Sequence, residues 1–152
     1  MKSALIGHTG FVGGNIKQQA SFSDYYNSKN IEEIKGRKYD TVVSAGTSSL
    51  VWKANSNPAE DRRNVQKLIS SLRLVKANHF ILISTIFVYP NPFKVDEESP
   101  IDTLQLLPYG KHRYELEEFV RENFQRFTII RLPNLFGLGL KKNFIFDLIH
   151  NN

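Results

Sequence analysis

Tyr109 and Arg113 stand four residues apart in the stretch YGKHRYELE, residues 109–117. In a helix that spacing puts both side chains on one face. A tyrosine hydroxyl can give or take a proton during a reaction, but a free phenol ionises only at about pH 10. A cation beside it favours the phenolate and brings ionisation closer to neutral pH. Arginine is planar and permanently charged, unlike the compact ammonium of lysine. Lys111 projects elsewhere on the helix and is a poor replacement. His112 adjoins the Tyr109 face, either as an ordinary helix-surface histidine or as a proton shuttle.

A second chemical feature is GHTGFVGG, residues 7–14, with glycines at 7, 10 and 13. It follows an apolar run and opens a segment of helical periodicity. In such a loop one glycine makes the tight turn, one lets the backbone approach a pyrophosphate, and one packs helix on strand. The free N–H groups of the helix N-terminus then face the phosphates. No Gly-Lys-Ser/Thr follows, which excludes a Walker loop. A carboxylate about 20 positions on would select NAD by holding the ribose hydroxyls. That place holds Asn27 and Ser28 instead, with Lys29 beside them, and Asp24 comes too early. Lys29 is either a solvated loop lysine or a partner for a 2′-phosphate, which tilts the cofactor toward NADP.

The elements that must position these groups alternate. KSALI, 2–6, reads as a buried strand; 11–20 as a helix; FSDYYN, 22–27, as a second strand; NIEEI, 30–34, as a short helix stopped by Gly36. DTVVSA, 40–45, is a β-branched strand. Asn57-Pro58 with Glu60 and Asp61 is a strong helix start, and Val65, Leu68, Ile69, Leu72 and Val75 form its apolar face. HFILIS, 79–84, is a buried strand; the prolines of 91–108 mark a long loop; a helix over 109–123 uses Leu116, Phe119 and Val120 as its core face. FTIIRL, 127–132, is the next strand, and 143–150 reads as helical. Strands alternating with helices imply an α/β fold, a doubly wound parallel sheet of Rossmann type with three α/β/α layers. Ligands of such sheets lie beyond the carboxyl ends of the strands. Gly7, Ala45-Gly46-Thr47, Ser84-Thr85 and Pro133-Asn134 stand at those ends.

The 152 residues suit one compact domain, and 41% hydrophobic with 23% charged residues is enough to bury a core. The absence of cysteine excludes a disulfide framework, thiolate metal sites and a cysteine nucleophile. No metal site is expected. The net charge of +5 is spread among acids rather than gathered in a stripe, so no nucleic-acid partner is expected. No apolar run is long enough for a signal peptide or a membrane span, which makes a cytoplasmic location, with no membrane partner, the default expectation.

The ordered set of motifs resembles the extended short-chain dehydrogenase/reductase family, the NAD(P)-dependent epimerases, dehydratases and reductases of nucleotide sugars. GHTGFVG resembles the family's T-G-x-x-G-x-x-G loop, and VVSAG, 42–46, a strand ending under the cofactor. NPAEDRRNV, 57–65, resembles the entry to the family's fourth helix. LISTIFVY, 82–89, resembles the segment carrying a catalytic Ser/Thr. LPYGKHRYELE, 107–117, resembles the segment with the catalytic Tyr, and RLPNLFG, 131–137, the lead into the substrate region. Agreement runs through nearly the whole chain.

The resemblance implies a dinucleotide-binding domain over 1–137 and the start of an incomplete substrate-binding region over 138–152. It implies cofactor contacts at Gly7, Thr9, Gly10, Phe11, Val12, Gly13, Asn27, Ser28, Ala45, Gly46, Asn64 and Pro133, and substrate contacts at Thr47, Asn134 and Asn143. Thr85, Tyr109 and Arg113 become the catalytic set for hydride transfer at a hydroxyl or keto carbon, with NAD or NADP as cofactor and a nucleotide sugar as substrate. Two departures stand out. The family's lysine is Arg113, and family members usually run well beyond this length. One strand–helix unit between the first helix and DTVV is also abbreviated. The apolar residues Phe144, Phe146, Leu148 and Ile149 call for a cover, which makes a homodimer or a truncated product the expectation. Trp52 falls on the loop after the 40–45 strand, lining the nicotinamide end or covering core. The alternative to an enzyme is a non-catalytic dinucleotide-binding sensor or scaffold of the same fold.

Overall fold

The computed structural model describes residues 1–137, 139, 140 and 148. Five parallel strands form one sheet: β1 (Ser3–Ile6), β2 (Asp24–Tyr26), β3 (Lys38–Ser44), β4 (Lys76–Thr85) and β5 (Phe127–Leu132), in the order β2-β1-β3-β4-β5. The helices are α1 (Phe11–Gln19), α2 (Val51–Ser56), α3 (Pro58–Leu72) and α4 (Pro108–Asn123), with 3-10 turns at Ile31–Ile34 and Ile86–Val88. The doubly wound fold expected from the sequence is thus present.

Handedness places the layers. The chain moves one way across the sheet from β1 to β2 and the other way from β3 through β5. Right-handed crossovers therefore put α1 on one face and α3 with α4 on the other. Side chains alternate accordingly. Ala4, Ile6, Val42, Phe80 and Leu82 join Val65, Leu68, Leu72, Leu116 and Val120 in the main core. Leu5 and Val43 are buried on the opposite face. The abbreviated unit is real: the 3-10 turn at Ile31–Ile34 replaces a full crossover helix, and its two isoleucines are buried beneath α3.

Helix α3 starts where its chemistry dictates. The Asn57 side chain accepts from Glu60 N and donates to Glu60 Oε2, with Pro58 at the first turn. The structure differs from the sequence reading at residues 51–56 and at the start of β4. Residues 51–56, including Trp52, form helix α2 rather than a loop, and Trp52 is 61% exposed, so it covers no core. Only Ala54 of α2 is buried, too little for a periodic signal. Strand β4 is longer than 79–84 because its first residues pair with β3 near the exposed amino end. The helix expected over 143–150 lies, apart from residue 148, outside the described residues, as does almost all of the 138–152 region.

Helix α4 is locked to the sheet by a polar cluster. Glu117 is fully buried; it accepts from Ser84 Oγ at 2.5 Å and from Arg131 Nη2 at 2.7 Å. Arg131 also donates to the Tyr89 hydroxyl, which itself donates to the Asp96 carbonyl at 2.5 Å. One carboxylate thereby ties α4 to β4 and β5, and Arg131 carries the tie on to the loop beyond. Burial works against the Arg131 charge, but Glu117 outweighs it and holds the guanidinium above its ordinary range. Gly110 lets the same helix sit close: a Cβ there would fall 2.0 Å from the Phe87 carbonyl oxygen. Glu117→Ala leaves Arg131 buried without its anion, and chemical denaturation should show a loss of about 4 kcal/mol. An unchanged unfolding midpoint would mean the cluster contributes nothing.

Candidate functional site

The reversal of strand order lies between β1 and β3, and a cleft of about 470 Å³ opens there at the carboxyl ends of the strands. Thr9, Gly10, Phe11 and Val12 line it from the glycine loop and α1, Ala45 and Thr47 from the loop after β3. Thr85 stands at the end of β4, Tyr109 at the start of α4, and Pro133 and Asn134 beyond β5. Ten of the residues expected to bind or react thus share one cavity. Gly7 lies beneath it, with φ +84° and its α-carbon pressed toward β3, where a Cβ would come 2.1 Å from the Ala45 oxygen. Gly13 is buried in α1, and Gly46 continues the loop after β3.

Asn27 and Ser28 directly follow β2. The Asn27 carboxamide accepts from Lys29 N at 2.9 Å and stands 3.4 Å from His8 Nε2 of the glycine loop. Asp24 is removed from this locus. It lies at the first residue of β2, where it accepts from the Tyr39 hydroxyl and pairs with Lys2 and Arg37. No carboxylate was found at the ribose position in the sequence, and the Asn27 hydrogen bonds include none. Asn143 lies outside the described residues.

Tyr109 is 7% exposed. Its backbone N–H donates to Asn55 Oδ1 of α2 at 3.0 Å, and the Phe87 ring meets its ring edge-on. Burial pushes the phenol above its ordinary range; Arg113 pulls the other way, with help from the Thr85 hydroxyl. The guanidinium carbon of Arg113 lies 4.2 Å from the centroid of the Tyr109 ring. Arg113 is therefore beside Tyr109, as the four-residue spacing requires.

Its terminal nitrogens, however, are committed elsewhere. Nη1 donates to Asp61 Oδ2 at 2.5 Å, and Nη2 donates to Asp61 Oδ1 at 3.0 Å and to the Ser48 carbonyl at 2.6 Å. His112 is not the helix-surface residue that was one of its two expected roles: it is 5% exposed and its Nδ1 stands 2.8 Å from Asp61 Oδ2. Burial opposes ionisation of Asp61, but hydrogen bonds from Arg113 and His112 outweigh it and hold the carboxyl below the ordinary range. Asn64, expected to contact the cofactor, is exposed on α3 and does not line the cleft. The side chain that α3 sends to the site is Asp61, which the sequence showed only as a helix-start acid.

Among the described residues, no group of three or more His, Cys, Asp or Glu could hold a metal ion. No described helix is long and apolar enough to cross a membrane.

Several solved structures share this architecture. The dTDP-4-dehydrorhamnose reductase of Bacillus anthracis str. Ames, in complex with NADP, has a TM-score of 0.75 at 19% identity over 99% of this chain and 59% of that one. MoeE5 in complex with UDP-glucuronic acid and NAD gives 0.77 at 15% identity, over 97% of this chain and 60% of that one. UDP-glucuronic acid 4-epimerase from Bacillus cereus, in complex with NAD, gives 0.67 at 19% identity, over 90% and 57%. The chain thus spans about three fifths of the length of the structures it matches, and likeness at these identities establishes the fold. No curated protein matches the sequence. A family model does, over residues 17–152: with its Rossmann-type sheet and NAD(P)-dependent family character, the chain belongs to the NAD dependent epimerase/dehydratase family.

Proposed function

We propose that this chain serves NAD(P)-dependent hydride transfer at a hydroxyl- or keto-bearing carbon of a nucleotide sugar, with Tyr109 as the acid/base. The observation that carries the reading is the convergence of Thr85, Tyr109 and the glycine loop on one cleft at the switch point of the sheet. The cleft fits a dinucleotide: the glycine loop brings bare backbone to it, and α1 opens there with its N-terminal N–H groups. Gly7, Gly10 and Gly13 shape that approach, with Thr9, Phe11, Val12, Ala45, Gly46 and Pro133 around it, while Asn27 and Ser28 stand where the adenosine ribose belongs. The bound dinucleotide supplies or accepts the hydride.

The chain's own residues handle the proton. Tyr109 exchanges it with the substrate hydroxyl, Thr85 steadies the reacting oxygen, and the Arg113 charge favours the phenolate that burial disfavours. Thr47 and Asn134, on the cleft wall, face the substrate. Epimerase, dehydratase and reductase chemistries share these steps. The proposal includes a cytoplasmic setting and a homodimer, the latter tested by the solution mass from light scattering; a monomeric mass removes that part.

A dinucleotide-binding sensor or scaffold of the same fold is the second reading, favoured by one observation: the Arg113 donors are spent on Asp61 and Ser48 rather than turned to the cleft. Two experiments separate the readings. NADPH and NADH fluorescence should change on binding, and Gly7→Ala should weaken that binding at least ~10-fold, since its Cβ collides with the Ala45 carbonyl just beyond β3 and disrupts the loop. Tyr109→Phe should leave cofactor affinity intact and lower turnover on a panel of nucleotide sugars by about 10²-fold or more. Cofactor binding without turnover by the unaltered chain would decide for the sensor.

A further inference from the structure

We propose that Asp61 is a positioning residue for Tyr109: its carboxylate grips both terminal nitrogens of Arg113 and so holds the guanidinium against the tyrosine ring. The proposal rests on the reading of Tyr109 as the proton-exchanging group. Asp61 comes from α3 and Arg113 from α4, and their side chains are 7% and 3% exposed. Nothing in α3 itself demands a buried acid here; a first-turn carboxylate serves the helix equally well from the solvent side. Asp61 instead turns inward and meets a two-pronged cation with two oxygens.

The grip has a geometric consequence. A guanidinium is planar, so fixing Nη1 and Nη2 on Asp61, and Nη2 also on the Ser48 carbonyl, fixes the plane of the whole group. That plane lies against Tyr109, 4.2 Å from ring centroid to guanidinium carbon. Arg113 Nε has no hydrogen-bond partner and is buried, so the fork end alone sets the orientation. A lysine at 113 has one ammonium and could not hold both Asp61 oxygens, the Ser48 carbonyl and the ring face together. Arginine at 113 and the acid at 61 therefore form one unit, which also pins the loop after β3 that walls the cleft.

Asp61 acts on Tyr109 in two opposite ways, and their signs differ. Through space its negative charge disfavours the phenolate. Through Arg113 it keeps a cation where it favours the phenolate. The groups facing Tyr109 are Arg113 of α4, Asp61 of α3, Thr85 at the end of β4 and Asn55 of α2, while His112 of α4 meets Asp61. If Asp61 were only a charge, Asp61→Asn would lower the apparent pKa of Tyr109. If it positions Arg113, the same change frees the guanidinium, and the pKa rises.

The test is made on the intact chain carrying ¹³Cζ-tyrosine and ¹⁵N-arginine, with Tyr109 assigned through Tyr109→Phe. The titration of Tyr109 in Asp61→Asn should move upward by on the order of one pH unit. A downward move, or none, overturns the proposal. In the unaltered chain the Arg113 Nη protons should give separate, slowly exchanging signals, since a two-oxygen grip stops rotation; a single averaged signal also overturns it. The second measurement decides alone if Asp61→Asn does not fold. Neither readout needs turnover, so failure to find a nucleotide-sugar reaction would sink the proposed function while leaving this inference standing, and the reverse holds too.

Discussion

Helix α4 carries Tyr109, Arg113 and Glu117 at successive four-residue steps, and all three are buried. A buried charge is costly unless paired, so each of the two ionic members of this seam must meet a partner from another element. Arg113 meets Asp61 of α3, and Glu117 meets Arg131 of β5 and Ser84 of β4. A slip of α4 by one residue would carry both charges off their partners at once. The seam therefore fixes the rotation and height of α4 over the sheet, and with them the place of Tyr109. The apolar side of the same helix, Leu116, Phe119 and Val120, supplies burial but tolerates small shifts; the ion pairs do not.

The cleft follows from a different constraint. Parallel strands joined by right-handed crossovers bring all their carboxyl ends to one edge, and reversal of the strand order leaves a gap between α1 and α3 there. The short unit after β2 does not alter this, because the 3-10 turn needs only its two buried isoleucines to reach the core. Loop residues from four separate strands then meet at one opening, whose floor is the close contact of Gly7 with Ala45. The helix seam and the strand gap are independent, yet they converge on Tyr109, which stands at the first turn of α4 and on the wall of the cleft.

Much of this could be read from the residues. Five strands and three of the four helices follow from period and caps, because β-branched runs and the Asn57-Pro58 start are local signals. Helix α2 escaped because it buries only Ala54. The glycine loop and the Tyr109–Arg113 spacing were legible since both are local geometry. The meeting of Asp61 with His112 and Arg113, and of Ser48 with Arg113, was not: these contacts join residues 51 to 65 positions apart, and no spacing rule connects them. Asp61 carried a sufficient local explanation as a first-turn acid, which hid its second one. Asn64 is the converse. The motif implies a contact, but Asn64 is exposed on α3 and does not line the cleft.

The exchange of lysine for arginine at 113 shows why a substitution should be judged with its neighbours. Taken alone, arginine looks like a loss, because a compact ammonium is replaced by a long fork that cannot reach the same points. With Asp61 in place the fork becomes an advantage: two parallel bonds to one carboxylate hold a flat cation in a fixed plane, which a single ammonium cannot do. The net charge of the Asp61–Arg113 pair is zero, so its effect on Tyr109 depends on distance rather than on total charge. The guanidinium carbon of Arg113 lies 4.2 Å from the centre of the ring, and its pull on the phenol exceeds the push of Asp61. A buried tyrosine can thus be served by an ion pair, provided the pair is oriented, and here α3 does the orienting.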